Sequence, residues 1–163
     1  NQLTNPSQTI ILFVGGTPEL HAFTSNLVAP PGRQCFVVAL ADVNLQVLAQ
    51  MGGMPKGTSI IATQAVPLIT SSLPVVRAYR DALSRFFDEA PSPQGLAGFI
   101  AARYTAEILG GISGPITRAS MLSALQRRSD VNGGGYVVAY QGKKRSNAYV
   151  TQSMLTQDGR IIG

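Results

Sequence analysis

The chain has 163 residues, of which 45% are hydrophobic and only 13% charged, with a net charge of +5. That length supports a real core, but the charged fraction is far below the roughly 25% of an average soluble domain, so much of the surface is expected to be covered by another part of a longer chain or by a partner subunit. The lone cysteine, Cys35, excludes an intramolecular disulfide. No apolar run approaches the roughly 18 residues of a membrane span, and a positive charge that reflects few acids rather than dense basic runs favours a solvated surface over nucleic-acid binding.

Residues 1–8 (NQLTNPSQ) are polar, with turn chemistry at Asn5-Pro6. No secretory leader precedes them and the first residue is not Met, so these residues leave the compartment open. An apolar strand is predicted over residues 9–14, buried on both faces as in a parallel sheet. It runs into Gly15-Gly16 and then Thr17-Pro18-Glu19, a helix start in which Thr17 is the expected N-cap, Pro18 suits the first turn and Glu19 the positive helix end. The first helix, 18–28, places Leu20, Phe23, Leu27 and Val28 on one face. A second apolar strand is predicted over 34–40; it contains Cys35, expected to be a buried, inert thiol. Asp42 is the expected N-cap of a helix over 43–51 that ends at Gly52-Gly53. Lys56-Gly57 turns the chain into a third strand over 58–66. Strand, helix, strand, helix, strand with short joints predicts right-handed crossovers and a parallel sheet.

The pattern then changes. Residues 67–73 (PLITSSL) form an extended connector, and a helix from Pro74 to about Phe87 places Val75, Val76, Tyr79, Leu83, Phe86 and Phe87 on one face, with Arg77, Arg80, Asp81 and Arg85 opposite. A fourth helix, 94–109, carries Phe99, Ile100, Tyr104 and Ile108 among small alanines. Residues 110–115, including GGISG, read as a helix stop, and Thr117 is expected to cap a fifth helix over 118–127. Residues 133–140 and 147–155 alternate between apolar and polar and are expected to pair as an antiparallel hairpin joined by 141–146 (QGKKRS); a last strand-like piece is Arg160-Ile161-Ile162. Asn132–Gly135 (NGGG) reads as a turn. The basic clusters 126–128 and 143–145 are expected to be solvated, and His21 to have a surface or packing role. One Cys, one His and scattered acids make no metal set; neither a metal nor a cofactor is expected.

Three parallel strands with two helices leave sheet faces and edges to be covered by something else. The series IILFVGGTPELHAF, FVVALADVN, GTSIIATQAVPLITSSLPVVRAYRDAL, GLAGFIAARYTAEIL, ITRASMLSALQRRSD and NGGGYVVAYQGKKRSNAYVTQSMLTQDGRI resembles the carboxy-terminal half of branched-chain amino-acid type periplasmic solute-binding proteins of ABC importers. The resemblance runs from about residue 9 to the end. It implies an α/β chain with an incomplete type I periplasmic-binding-protein (Venus-flytrap) fold: 1–66 as part of the second lobe, 67–128 as connector and helices largely of the first lobe, and 129–163 as a hairpin and returning hinge or lobe segment. The chain would then be a fragment, periplasmic in location, working with an ABC permease in its full-length context, and self-association would cover its open faces.

The resemblance places the ligand wall in the loops after the parallel strands: Gly15, Gly16 and Thr17 after the first, and Leu40, Ala41, Asp42 and Val43 after the second. Ligand sites beyond the carboxyl ends of parallel strands agree with this. Amino-acid-binding relatives carry a carboxylate where Leu40 stands, for the ligand ammonium, and an aromatic where Thr17 stands. Either Asp42 takes the ammonium role in a shifted register, or the ligand is an apolar or aromatic carboxylate; Asp42 as a plain N-cap is the alternative. No nucleophile, base and orienting group assemble, so the expected role is non-enzymatic binding of an amino acid or related small carboxylate in an interlobe cleft. A ligand-sensing regulatory module of the same fold and a basic nucleic-acid-associated α/β protein are the competing readings; no nucleic-acid partner is expected under the first.

Overall fold

A computed structural model describes residues 8–127, 130–141, 144–145 and 149–163, without the side chains of residues 8, 130, 139–141 and 144–145. Residues 1–7 of the polar opening, 128–129, and 142–143 and 146–148 in and after the expected hairpin loop lie outside the described residues. The chain divides into two compact units, Asn1–Gln64 with Val150–Gly163, and Ala65–Tyr149.

In the first unit, β1 (Gln8–Phe13), β2 (Gln34–Ala39) and β3 (Thr58–Gln64) are parallel and in register, Ile11 beside Val37 and Val37 beside Ile60. The connections are α1 (Thr17–Ser25) and α2 (Leu45–Met51). Both helices contribute to the core on one sheet face, where Leu20, Leu45 and Leu48 pack with Val37, Ala39, Ile60 and Ala62. Burying each such Leu or Ile contributes about 1.5–3 kcal/mol relative to exposure. The parallel grammar read from the apolar runs and short joints is the one observed, in mixed form, because the sheet does not stop at β3.

The next strand is β7 (Thr151–Leu155), antiparallel to β3 with Leu155 beside Ile60, followed by β8 (Ile161–Ile162), giving the order β1-β2-β3-β7-β8. Leu155 is fully buried in the same core. The expectation that 133–140 and 147–155 pair with each other is therefore corrected. β7 carries a large apolar residue at the position opposite Ile60, and its alternation is satisfied by that core.

In the second unit, α3 (Pro74–Phe86), α4 (Pro93–Gly110) and α5 (Arg118–Arg127) precede a small sheet of β4 (Asp130–Asn132), β5 (Val137–Gln141) and β6 (Lys144–Arg145), in the order β4-β5-β6. Val75, Val76 and Tyr79 pack with Leu96, Ile100 and Tyr136. Phe86 and Phe87 do not join them: they are 75% and 62% exposed, because α3 ends at Phe86 and Phe87 is already extended. Arg80, expected on the polar face, turns its Nη1 back to donate to the Ile69 carbonyl at 2.9 Å. Thr117 caps α5 as expected, accepting from the Ser120 N–H at 3.1 Å. The NGGG turn joins β4 to β5 and also serves α3: the Val75 N–H, an orphan donor at a helix start, donates to the Gly134 carbonyl at 3.1 Å. Gly134 has φ +77° and a Cβ there would lie 3.0 Å from Val75 N, so the turn needs glycine twice over.

Candidate functional site

The carboxyl ends of β1 and β2 open into two loops, residues 14–16 and 40–44, each leading into a helix. The first loop does not turn through left-handed glycines. Gly16 is extended (φ −87°, ψ −176°) and is itself the N-cap of α1, with no side-chain cap. Glycine at position 15 is a matter of space: a Cβ there would lie 2.9 Å from the Phe13 ring, which is packed against the core with its centroid 5.6 Å from that of the tilted Phe23 ring. A Cβ at Gly16 would crowd the carboxylate end of Glu19, at 2.9 Å from its Oε2, and make ordinary contact with Pro18 Cδ at 3.8 Å.

Thr17 is thus the first helical residue rather than the cap, a correction to the sequence expectation. It is buried, and its Oγ1 accepts a 2.9 Å hydrogen bond from the Asn44 N–H in the second loop. With Gly16 lacking a side chain, the threonine is free to reach across to a neighbouring loop instead of closing its own helix. Asn44, in turn, is the cap of α2: its Oδ1 accepts from the N–H groups of Gln46 at 3.0 Å and Val47 at 3.3 Å. The expected capping role of Asp42 is corrected accordingly. α2 begins at Leu45, two residues later than predicted, and Asn44 occupies the position that a cap requires.

Asp42 and Ala41 are exposed in the turn that the Val43 N–H closes onto the Leu40 carbonyl at 3.1 Å. Val43 points the other way, fully buried in the core. Its carbonyl accepts a 3.4 Å bond from Nε2 of Gln64, a buried side chain at the end of β3. Gln64 and Asn44 are the residues that sequence reasoning missed. Their signal was a polar group closing an apolar strand and an Asn directly before the first apolar helical residue.

The rim consists of the first loop, with Gly15 and Gly16, and the second, with the exposed Ala41 and Asp42, tied to each other by the Thr17–Asn44 bond and to the end of β3 by the Gln64–Val43 bond. Val14 and Leu40 flank it, 81% and 48% exposed. The acids in these two loops and the following first turns are Asp42 and Glu19, with no Lys or Arg among residues 14–20 and 40–48, on a chain of net charge +5. His21 is half-buried one turn into α1, and its carbonyl accepts from Thr24 and Ser25.

No family model and no curated protein matches the sequence. Solved structures do. An extracellular ligand-binding receptor from Verminephrobacter eiseniae is 22% identical, with a TM-score of 0.72 over 95% of this chain and 44% of that one. A possible leucine/isoleucine/valine-binding protein from Rhodopirellula baltica is 26% identical, with a TM-score of 0.76 over 95% of this chain and 42% of that one. A substrate-binding periplasmic protein from Ralstonia solanacearum is 22% identical, with a TM-score of 0.78 over 94% of this chain and 45% of that one. The chain spans less than half the length of each of these proteins. The α/β architecture seen here is part of the type I periplasmic-binding-protein fold.

Proposed function

We propose that this chain supplies one wall of a solute-binding cleft, of the kind that presents amino acids or related small carboxylates to an ABC permease from the periplasm. The observation that carries the reading is Asp42. Asn44 does the capping, so the Asp42 carboxylate is left exposed in the loop that the Thr17–Asn44 bond ties to the Gly15-Gly16 loop, where it could serve as the charge partner of a ligand ammonium. In this reading Gly15, Gly16, Ala41 and Asp42 touch the ligand, while Thr17 and Val43 hold the two loops in place. The first unit, residues 1–64 with 150–163, then belongs to the second lobe and residues 65–149 belong to the first, which redraws the sequence bounds 1–66, 67–128 and 129–163. The role is binding and release, with no bond made or broken. The solved proteins of the same fold, one described as substrate-binding and one as a possible leucine/isoleucine/valine-binding protein, support it.

The test is a thermal-shift and calorimetric screen of amino acids and of aromatic and aliphatic carboxylates against this chain and Asp42→Asn. A charge-assisted hydrogen bond contributes about 1.5–3 kcal/mol, so the variant is expected to lose roughly tenfold or more in affinity for an ammonium-bearing ligand. Equal binding by the two proteins would remove Asp42 from the site, and binding confined to carboxylates without an ammonium would select the apolar-acid alternative. No binding by any of them would overturn the proposal for this chain.

A further inference from the structure

The chain passes between its two units twice, from Gln64 to Ala65 and from Tyr149 to Val150. The two sides of each passage are held differently. In the first unit Gln64 and Thr151 are partners at the end of the β3–β7 ladder. In the second unit Ala65 and Tyr149 belong to no strand, and one side chain reaches both. The Tyr136 hydroxyl donates to the Ala65 carbonyl at 2.6 Å, and its ring meets the Tyr149 ring edge-on, with centroids 5.3 Å apart. Tyr136 itself has little room to move. It is buried against Val66, Val75 and Ile100. Its carbonyl accepts the Gly133 N–H at 3.0 Å across the NGGG turn, in which Asn132 Oδ1 accepts the Gly135 N–H at 2.9 Å. A buried tyrosine hydroxyl needs a partner; this one finds it in the first residue of its own unit, 71 residues back.

We propose that Tyr136 is a hinge-positioning residue: it pins both passages on the side of the second unit, so that turning of one unit against the other is taken up at the Gln64–Ala65 junction and at Val150. Motion between compact units is absorbed by a few loop or element-terminal residues, and backbone fixed in a ladder or by a buried side chain is not among them. The ladder ends at Gln64 and Thr151, and the tyrosine holds Ala65 and Tyr149. One peptide junction and one residue lie between. Val150 is 66% exposed, so its side chain can swing with the backbone without repacking a core. The two contacts differ in kind. The hydrogen bond is directional and fixes where the Ala65 carbonyl points, whereas the ring contact fixes the separation and tilt of Tyr149. Removing the hydroxyl therefore releases one passage and leaves the other. The pin acts whether or not the rim holds a ligand.

Distances between spin labels test the proposal on the whole chain, with Cys35→Ala as the background. One label pair, Val28→Cys with Ile116→Cys, spans the units at exposed positions; a second, Phe87→Cys with Ile116→Cys, lies within the second unit. Tyr136→Phe keeps the ring and is expected to broaden the spanning distance distribution while the internal one stays as narrow as without the change. Tyr149→Leu is expected to do the same through the other passage. Tyr79→Phe removes a hydroxyl that serves the Ser92 N–H instead of either passage, and is expected to alter neither distribution. A spanning distribution unchanged by Tyr136→Phe would overturn the proposal. So would broadening of both pairs, or equal broadening by Tyr79→Phe, because general loosening of the second unit would then account for the effect. Broadening by Tyr136→Phe and not by Tyr149→Leu would overturn the claim that one side chain pins both passages.

Discussion

The hydroxyl oxygen of Thr17 accepts the backbone N–H of Asn44 across twenty-seven residues of sequence, and this 2.9 Å bond ties the loop after β1 to the loop after β2. It joins the two loops directly, in addition to the core packing of Leu20 with Val43, Leu45 and Leu48. Replacing Thr17 by Val keeps the shape and leaves a backbone donor in a part-buried position without its partner. Such a loss costs about 1–3 kcal/mol, so the urea midpoint of Thr17→Val is expected to fall accordingly while Thr17→Ser stays near the wild type. A Val variant as stable as the wild type would mean that water replaces the hydroxyl at no cost.

The division of labour between Asn44 and Asp42 is equally open to measurement. Asn44→Ala removes an N-cap that serves two N–H groups of α2 and is expected to cost about 1 kcal/mol, within the 0.5–2 kcal/mol range of such caps. Asp42→Ala touches an exposed side chain outside the helix and is expected to stay within about 0.5 kcal/mol of the wild type. The opposite ranking in denaturant titrations would return the cap to Asp42 and remove the reason for giving its carboxylate to a ligand.

A third expectation concerns the second unit, where, besides the packing of α3 on α4, one hydroxyl of α3 braces the start of α4. The Tyr79 hydroxyl accepts from the Ser92 N–H at 3.2 Å, just before Ser92 caps α4 through the Gly95 N–H at 3.0 Å. A Cβ on Gly95 would lie 2.2 Å from that hydroxyl oxygen. Gly95→Ala improves helix propensity by up to about 1 kcal/mol on an open surface; here the overlap is expected to reverse the sign, with a net loss of about 1–3 kcal/mol as for overpacked cores. Tyr79→Phe removes the clashing oxygen, so the double variant is expected to be more stable than the sum of the single changes implies. Additive behaviour in thermal unfolding would show that the ring moves aside freely.

Much of the first unit could be read directly from the sequence because its signals are local. Continuous apolar runs such as ILF and FVV mark strands buried in a sheet, and the Pro, Gly and Asn punctuation marks the joints. Helix starts were legible to within a residue or two, yet the capping residue was misplaced at both Thr17 and Asp42. Several residues with suitable oxygens stand near each helix start, and only backbone geometry selects among them. The partner of β7 was not legible for a different reason: alternation says that a strand has two unlike faces, not which strand lies beside it. Leu155 finds Ile60 across some ninety-five residues of chain. The ligand rim was legible as a location, after parallel strands, while its bracing by Asn44 and Gln64 depends on contacts between loops that no spacing rule encodes.

Cys35 provides a pH signature for the same core. It is 1% exposed in β2, and burial pushes its thiol above the ordinary thiol range by disfavouring the thiolate. At neutral pH the folded and unfolded chains both keep the proton, and the residue gives stability no pH dependence. As the pH rises past the free-thiol value, the unfolded chain releases its proton and the folded chain does not. The native state then binds more protons than the unfolded one, and stability falls with rising pH, by at most about 1.4 kcal/mol per pH unit until the folded value is passed. Urea midpoints of the wild type are therefore expected to drop more steeply above that pH than those of Cys35→Ala, after allowing for the constant cost of the smaller side chain. Reaction with a thiol reagent is expected to be slow in the native protein and immediate in denaturant. Parallel pH profiles for the two proteins, or rapid labelling of the folded chain, would show that the thiol reaches solvent without global unfolding.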